Sequence, residues 1–253
     1  MLIESKQNKY IKLLKKLSQK KYRYQENKFA VENFTIIYDA IRSGYDFEDI
    51  FVTEDFVNKN EKKFKYLIEN SKIKNYYLIT NSLNKYYSSL DTISGITAIY
   101  NINSSDLDLS KSVVYLNGIS NPGNLGTIMR TMIAFGFVNL VVDNKCADIY
   151  NTKTTNASKD AIFKLNIFKD QDNKWLEKNK KDIAIYTTSS LDGVNLDKFK
   201  PVKKFCLVLG SETHGISEDI MNMADKNIKI KISEDIESLN VAIATGILLY
   251  RLR

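Results

Sequence analysis

The 253-residue chain is poor in several residue types, and each scarcity excludes something. It has two cysteines, Cys146 and Cys206, too few for a disulfide framework. Neither has a second Cys or a His at metal-ligand spacing. They read as incidental thiols of a reduced compartment, and no metal site is expected. The single histidine, His214, excludes a His-rich metal centre and any Ser-His-Asp system that does not use it. No run of 18 or more apolar residues is present, so no membrane-spanning helix is expected. The first ten residues, MLIESKQNKY, lack the apolar core of a secretion signal, and a cytoplasmic protein is expected. There is no internal repeat and no long low-complexity tract.

Apolar side chains make up 43% of the residues and aromatics 11%, enough for real cores in one large domain or two small ones. The net charge of +7 is unevenly spread. Residues 1–28 hold nine basic side chains against two acids, Glu4 and Glu26; the remaining basic and acidic residues balance at 28 each. A cluster of like charge favours a polyanion, because each neutralised phosphate releases counterions. A solvated helix face explains the same pattern without a partner. Tyr10, Tyr22 and Tyr24 lie among the lysines, where rings can stack on unpaired bases.

Ile11, Leu13, Leu14 and Leu17 recur at helical spacing between lysines. The stretch FAVENFTIIYDAIRSG reads as a strand followed by a helix ending at Gly44. EDIFVTE, NYYLIT and GITAIYNI read as strands, and residues 55–70 as one polar helix. These make a small α/β domain over residues 1–103, followed by a polar linker over 104–111. From Ser112 the rhythm changes. SVVYL, NLVVD, IAIYTT, FCLVLG and IKIKI are buried-type strand runs separated by helical patterns, so residues 112–253 read as an α/β domain on a mostly parallel sheet.

Three segments of that second domain stand at strand-to-helix crossings, where open α/β sheets bind ligands. The first, NPGNLGTIMR over 121–130, reads as a glycine-rich turn leading into a helix. Its spacing fits neither a P-loop nor G-x-G-x-x-G, and Gly123 and Gly126 can equally serve tight packing. The second, GSETHGIS over 210–217, carries Glu212, which can also act as a helix-capping acid. The third is Ser238 to Asn240, opening the apolar helix VAIATGILLYRL. Ser238 reads as an N-cap; Asn240, a poor helix former, has no such simple explanation.

In this order and spacing, the three segments resemble the SpoU–TrmH family of RNA ribose 2′-O-methyltransferases, within the SPOUT superfamily. The first matching segment carries Asn124 and Arg130, the second LGSETHGIS with Glu212, the third IKISEDIESLNVAIA with Ser238 and Asn240. NKYIKLLKKLSQKKYRYQENKFAVE resembles the family's N-terminal substrate-binding domain, whose fold is like that of small ribosomal RNA-binding proteins. Members acting on bacterial large-subunit ribosomal RNA, including thiostrepton-resistance-type enzymes, are the nearest in pattern. The chain departs from the pattern twice. Lys231 follows Ile230 where the family usually has proline, and Asn33 follows Glu32 where the family often has glycine. Asparagine suits a positive φ there.

The resemblance implies a C-terminal knotted (trefoil) SPOUT domain with a parallel sheet, plus a small N-terminal α/β RNA-binding domain. It implies S-adenosylmethionine as cofactor, held by Thr187, Leu209, Gly210, Gly215, Ile230, Ile232, Leu239 and Asn240. It assigns catalysis to Arg130, Asn124, Glu212, Ser238 and Asn240, with Arg130 gripping a phosphate and stabilising alkoxide charge. RNA binding falls to Lys15, Lys16, Lys20, Lys21 and Arg23. The expected partners are RNA, 23S ribosomal RNA first, and a second copy of the chain through the C-terminal domain, with no membrane. A transfer-RNA methyltransferase and a non-catalytic RNA-binding or ribosome-assembly protein are the alternatives.

Overall fold

The computed structural model describes every residue except 74–75, 103–105, 173, 190–191 and 212. Glu212 and the start of the expected linker therefore lie outside the described residues. Two compact units are present: residues 1–103 with 150–163, and residues 104–149 with 164–253.

In the first unit the chain runs β1 (Leu2–Ile3), α1 (Lys9–Leu17), α2 (Lys20–Glu26), β2 (Lys28–Val31), α3 (Phe34–Arg42), β3 (Asp49–Thr53), α4 (Glu54–Lys59), α5 (Glu61–Asn70), β4 (Tyr77–Ile79), α6 (Asn81–Tyr87) and β5 (Ile96–Asn101). The strands form one mixed sheet in the order β1-β4-β3-β5-β2. β1 and β3 pair parallel to β4, while β5 pairs antiparallel to β3 and β2. Helix α1 forms because Ile11, Leu14 and Leu17 share one face; all three are buried against Phe51, Ile79, Leu83 and Ile99. Burying each such side chain stabilises the fold by about 1.5–3 kcal/mol. The lysines between them are left in solvent.

Local details of this unit differ from the sequence expectation at two places. Residues 55–70 are two helices, because Asn60 leaves helical geometry between α4 and α5. Asn33 has φ −127°, ordinary extended backbone, and its Oδ1 accepts from Ile36 N at 3.3 Å. It caps α3 and does not replace a positive-φ glycine.

A further departure concerns the second half of the sequence. The segment 150–163, which contains helix α8 (Thr152–Ser158), packs with the first unit although the sequence reading ran 112–253 as one domain. The reason is aromatic. The Tyr150 ring lies 4.8 Å from that of Phe29, and Phe163 lies 4.6 Å from Tyr100. Ring pairs at such separations add stabilisation beyond the area they bury.

The second unit continues with β6 (Val113–Asn117), α7 (Pro122–Ala134), β7 (Asn139–Asp143), the boundary helix α9 (Ala161–Lys164), β8 (Asn166–Asp170), α10 (Trp175–Asn179), β9 (Ala184–Thr188), β10 (Val194–Asn195), β11 (Phe205–Gly210), α11 (Glu218–Met221), β12 (Lys226–Lys229) and α12 (Val241–Leu252). All strand pairs in its sheet are parallel, in the order β10-β12-β9-β11-β6-β7-β8. Every residue of β6 and β7 is buried, as expected for strands covered on both faces. On one face Val113, Tyr115, Ile185 and Val208 pack with Trp175, Leu176 and Ile220. Helix α12 packs on α7 and on β11. Strand β11 enters late and lies between β6 and β9, so the strand order reverses around it. No helix among the described residues is long and apolar enough to cross a membrane.

Candidate active site

The first segment is not a loop. Asn121 caps α7, its Oδ1 accepting from Gly123 N at 2.8 Å and Asn124 N at 3.2 Å, and Pro122 occupies the first helical turn. A proline there loses no hydrogen bond and starts the helix with φ already set. Gly123 and Gly126 are therefore helical residues, and Gly126 is buried. Asn124 is half-buried in the first turn and Arg130 is exposed two turns later. Among the described residues, none hydrogen-bonds or pairs with the Arg130 guanidinium.

The second segment is a tight loop after β11. Ser211 and Gly215 bridge each other, with N–H to carbonyl distances of 3.1 and 3.0 Å. Gly215 has φ +64°, the left-handed region. A Cβ on Gly210 would stand 2.3 Å from the Gly215 carbonyl carbon, so only glycine fits there. Asn117, at the end of β6, braces this loop. Its Oδ1 accepts from Ser217 N at 2.9 Å and its Nδ2 donates to Asp143 Oδ2 at 2.9 Å. Asp143 in turn accepts from Cys146 N at 2.9 Å. The brace ties the carboxyl ends of β6 and β7 to the loop after β11.

In the third segment the cap is two residues later than the sequence suggests. Asn240, not Ser238, caps α12, accepting from Ala242 N at 2.9 Å and Ile243 N at 3.4 Å. Its Nδ2 donates to Asn124 Oδ1 at 3.2 Å, joining the first and third segments across 116 positions of sequence.

The second and third segments, with the ends of β9 and β12 and the inner face of α12, line a cavity of about 380 Å³ at the carboxyl ends of the central strands. Six of the eight residues expected to hold a cofactor line it: Leu209, Gly210, Gly215, Ile230, Ile232 and Leu239. Asn240 does not line it but fixes the helix start next to Leu239. Thr187 is turned away, fully buried, with Oγ1 3.4 Å from Asn227 Oδ1. Successive strand residues face opposite ways, so Thr188 takes the wall instead, with its Oγ1 donating to Val208 O at 3.1 Å. Ser238 also lines the cavity. Lys231, in the usual proline position, lies between the two lining isoleucines and is exposed.

Sequence reasoning missed Ser189, Ser211, Met221 and Glu237 on the wall and gave His214 no role there. His214 lines the cavity, its Nδ1 2.8 Å from Thr213 Oγ1 and its N–H donating to Ser211 Oγ at 3.1 Å. As the chain's one histidine, in a segment already singled out, it had a sequence signal. His214 and Glu237 are the ionisable side chains among the described wall residues. Burial pushes both thiols well above the ordinary cysteine range, with the Asp143 carboxylate adding to the effect at Cys146. Both are structural side chains.

In the first unit, Lys15, Lys16, Lys20 and Lys21 are exposed as expected. Arg23 is the correction. It is 4% exposed, and its Nη1 donates to Leu17 O at 2.7 Å, so it closes the end of α1 and does not reach a phosphate.

A cavity of mixed apolar and polar lining, built on a glycine loop at the strand-order reversal of a parallel sheet, lies where open α/β folds bind nucleotide-type ligands. Residues 111–250 match the SpoU rRNA Methylase family, and residues 8–98 match the MRM3-like substrate binding domain. The chain belongs to the SpoU rRNA Methylase family, as the three segments implied. It is similar, at 27% identity over 252 residues, to the 23S rRNA (guanosine(2553)-2′-O)-methyltransferase RlmP of Bacillus subtilis, covering 99% of this chain and 98% of the relative. Among solved structures it resembles a TrmH-family protein from Porphyromonas gingivalis, with TM-score 0.80, 26% identity and 96% of each chain covered. It shares its fold with the SpoU methyltransferase AviRb of Streptomyces viridochromogenes in complex with AdoMet, with TM-score 0.85, 21% identity and 97% of each chain covered.

Proposed function

We propose that the protein methylates a ribose 2′-hydroxyl of RNA, with 23S ribosomal RNA as substrate. The Asn240–Asn124 hydrogen bond carries this reading, because it joins two segments that the family resemblance assigns to one active site, beside a cavity lined by the second and third segments. The RlmP relative, matching along the full length of both chains, supports ribosomal RNA. A cytoplasmic site of action follows from that substrate.

The cavity fits S-adenosylmethionine. Its volume lies within the ~300–1,000 Å³ typical of ligand pockets. Leu209, Ile230, Ile232 and Leu239 offer apolar surface to an adenine, and Thr188 and Ser189 offer hydroxyls to a ribose. Glu237 places a negative charge on a wall that receives a cation. When bound, the cofactor supplies an electrophilic methyl group on a sulfonium.

The chain's own residues then have to position a weak nucleophile. Arg130 is free to take a phosphate or ribose oxygen through its planar fork and to stabilise negative charge on the attacking oxygen. A guanidinium stays protonated in proteins, so it acts through charge and geometry, not as a base. Asn124 and Asn240 hold the α7 and α12 starts against each other, Ser238 faces the cavity, and Glu212 orients the ribose or the arginine. Holding the reacting atoms near contact supplies much of the rate enhancement.

The C-terminal stretch closes this site as a trefoil knot. The placement of β11 between β6 and β9, with α12 returning onto α7, supports that threading. The working protein is a homodimer through the second unit. Ile243, Ile247 and Tyr250, at helical spacing on α12, are 59%, 40% and 59% exposed, an apolar stripe that a second copy would cover. Substrate RNA is gathered by Lys15, Lys16, Lys20 and Lys21 on the first unit.

Calorimetric titration of the full chain with S-adenosylmethionine, followed by methyl transfer to unmodified 23S RNA, tests the proposal. One saturable site per chain and transfer to a ribose 2′-oxygen are expected. No binding by the folded protein would overturn it.

A further inference from the structure

Two tyrosines on the first unit each gather a pair of ammonium groups. Lys6 and Lys15 place Nζ 4.8 and 5.2 Å from the centroid of the Tyr86 ring. Lys15 also donates to the Tyr86 carbonyl at 2.9 Å. Lys16 and Lys21 place Nζ 5.5 and 5.9 Å from the Tyr22 ring. The four lysines are exposed, and among the described residues none of them pairs with a carboxylate. Helix α1 packs against both α6, which carries Tyr86, and α2, which carries Tyr22, so Lys15 and Lys16, neighbours in sequence, serve different rings.

Two ammonium groups gathered at one ring repel each other, and among the described residues no carboxylate pairs with them. The rings hold them instead, because the negative face of an aromatic quadrupole attracts a cation. A carboxylate in the same place would cancel the charge it gathered. A ring gathers it and leaves it available. Two ammonium groups within about 6 Å of one ring centroid are near enough to grip neighbouring phosphates of one nucleic-acid strand.

We propose that Tyr86 and Tyr22 organise two phosphate-gripping nodes, one where α1 meets α6 and one where it meets α2. The inference rests on the RNA reading above and specifies how the basic segment works. The tyrosines are positioning residues. They act through the lysines, not by reading bases.

The test is fluorescence anisotropy of the full-length protein with a labelled oligouridylate, whose bases stack weakly, at several salt concentrations. Replacing Lys6 and Lys15, or Lys16 and Lys21, by glutamine is expected to reduce the salt slope by about 0.7–0.9 for each phosphate no longer neutralised. The reductions should add when the pairs are combined. Tyr86→Leu should weaken binding about two- to fivefold at low salt, the size of an exposed cation–ring interaction, with unchanged melting temperature. Tyr86→Phe should restore wild-type binding, because it keeps the ring and loses only the hydroxyl. The proposal is overturned if Tyr86→Leu binds as wild type, if Tyr86→Phe is as weak as Tyr86→Leu, or if either lysine pair leaves the slope unchanged. Wild-type protein that methylates RNA while these variants bind normally would overturn the nodes and leave the enzymatic reading standing. Wild-type protein that binds no RNA would overturn both.

Discussion

At the scale of single residues, two arginines show how one side-chain type serves opposite ends. Arg130 is exposed and without a partner among the described residues; Arg23 is buried and donates to Leu17 O at 2.7 Å. Arg130→Ala should lower methyl transfer by about 10²–10³-fold, the range for removing a donor to a developing oxyanion. Affinity for S-adenosylmethionine should hold, because the side chain is assigned to the RNA. Arg130→Lys should also be poor, since an ammonium lacks the planar fork. Turnover and calorimetry on the same preparations check both statements, and near-normal turnover in either variant would remove Arg130 from the mechanism. Arg23→Gln should behave differently. It removes a charged buried hydrogen bond, so thermal or urea unfolding should show a loss of about 1–3 kcal/mol. RNA affinity of the folded protein should not change. In the sequence Arg23 looks like one more member of a basic run. Its burial follows from the turn between α1 and α2, which no composition argument reveals.

At the scale of elements, the buried strands were the most legible part. SVVYL, NLVVD and FCLVLG are continuous apolar runs, and each forms a buried central strand of the parallel sheet. Order and spacing singled out the three segments before any fold was known, and Asn124 of the first and Asn240 of the third meet in the structure. Less legible were the caps. Ser238 and Asn240 are both capping residue types, and the residue that starts α12 is Asn240, whose Oδ1 accepts from Ala242 N and Ile243 N while its Nδ2 reaches Asn124, 116 positions away. Strands β1 and β10, two residues each, carry too little pattern to be read. The second segment makes a sharp prediction. A Cβ on Gly210 would meet backbone, 2.3 Å from Gly215 C and 2.5 Å from Ile216 N. Gly210→Ala should therefore force the loop over 211–217 outward and cost about 1–3 kcal/mol, as overpacking does. Cofactor binding should fall with it, measured by calorimetry beside a melting curve. Wild-type affinity in a folded Gly210→Ala protein would show that the loop does not shape the site.

At the scale of the whole molecule, the chain is two compact units, and the boundary is not a single cut in sequence. Residues 150–163 return to the first unit because Tyr150 and Phe163 find Phe29 and Tyr100 there. A sequence read from one end to the other shows a linker but cannot show such a return, since it depends on which rings meet. The apolar stripe of Ile243, Ile247 and Tyr250 makes the next prediction. The wild-type chain should run as a dimer in light-scattering chromatography, and Ile243→Asp with Tyr250→Asp should shift it toward monomer. A monomeric wild type would leave the stripe without its assigned partner. The central claim is ribose methylation of 23S RNA, and the most direct measurement is a map of 2′-O-methyl groups in total RNA from cells with and without the gene. The account predicts that one ribose methyl in 23S RNA disappears without the gene and returns when the wild-type chain is supplied; identical 23S maps in the two strains would contradict it.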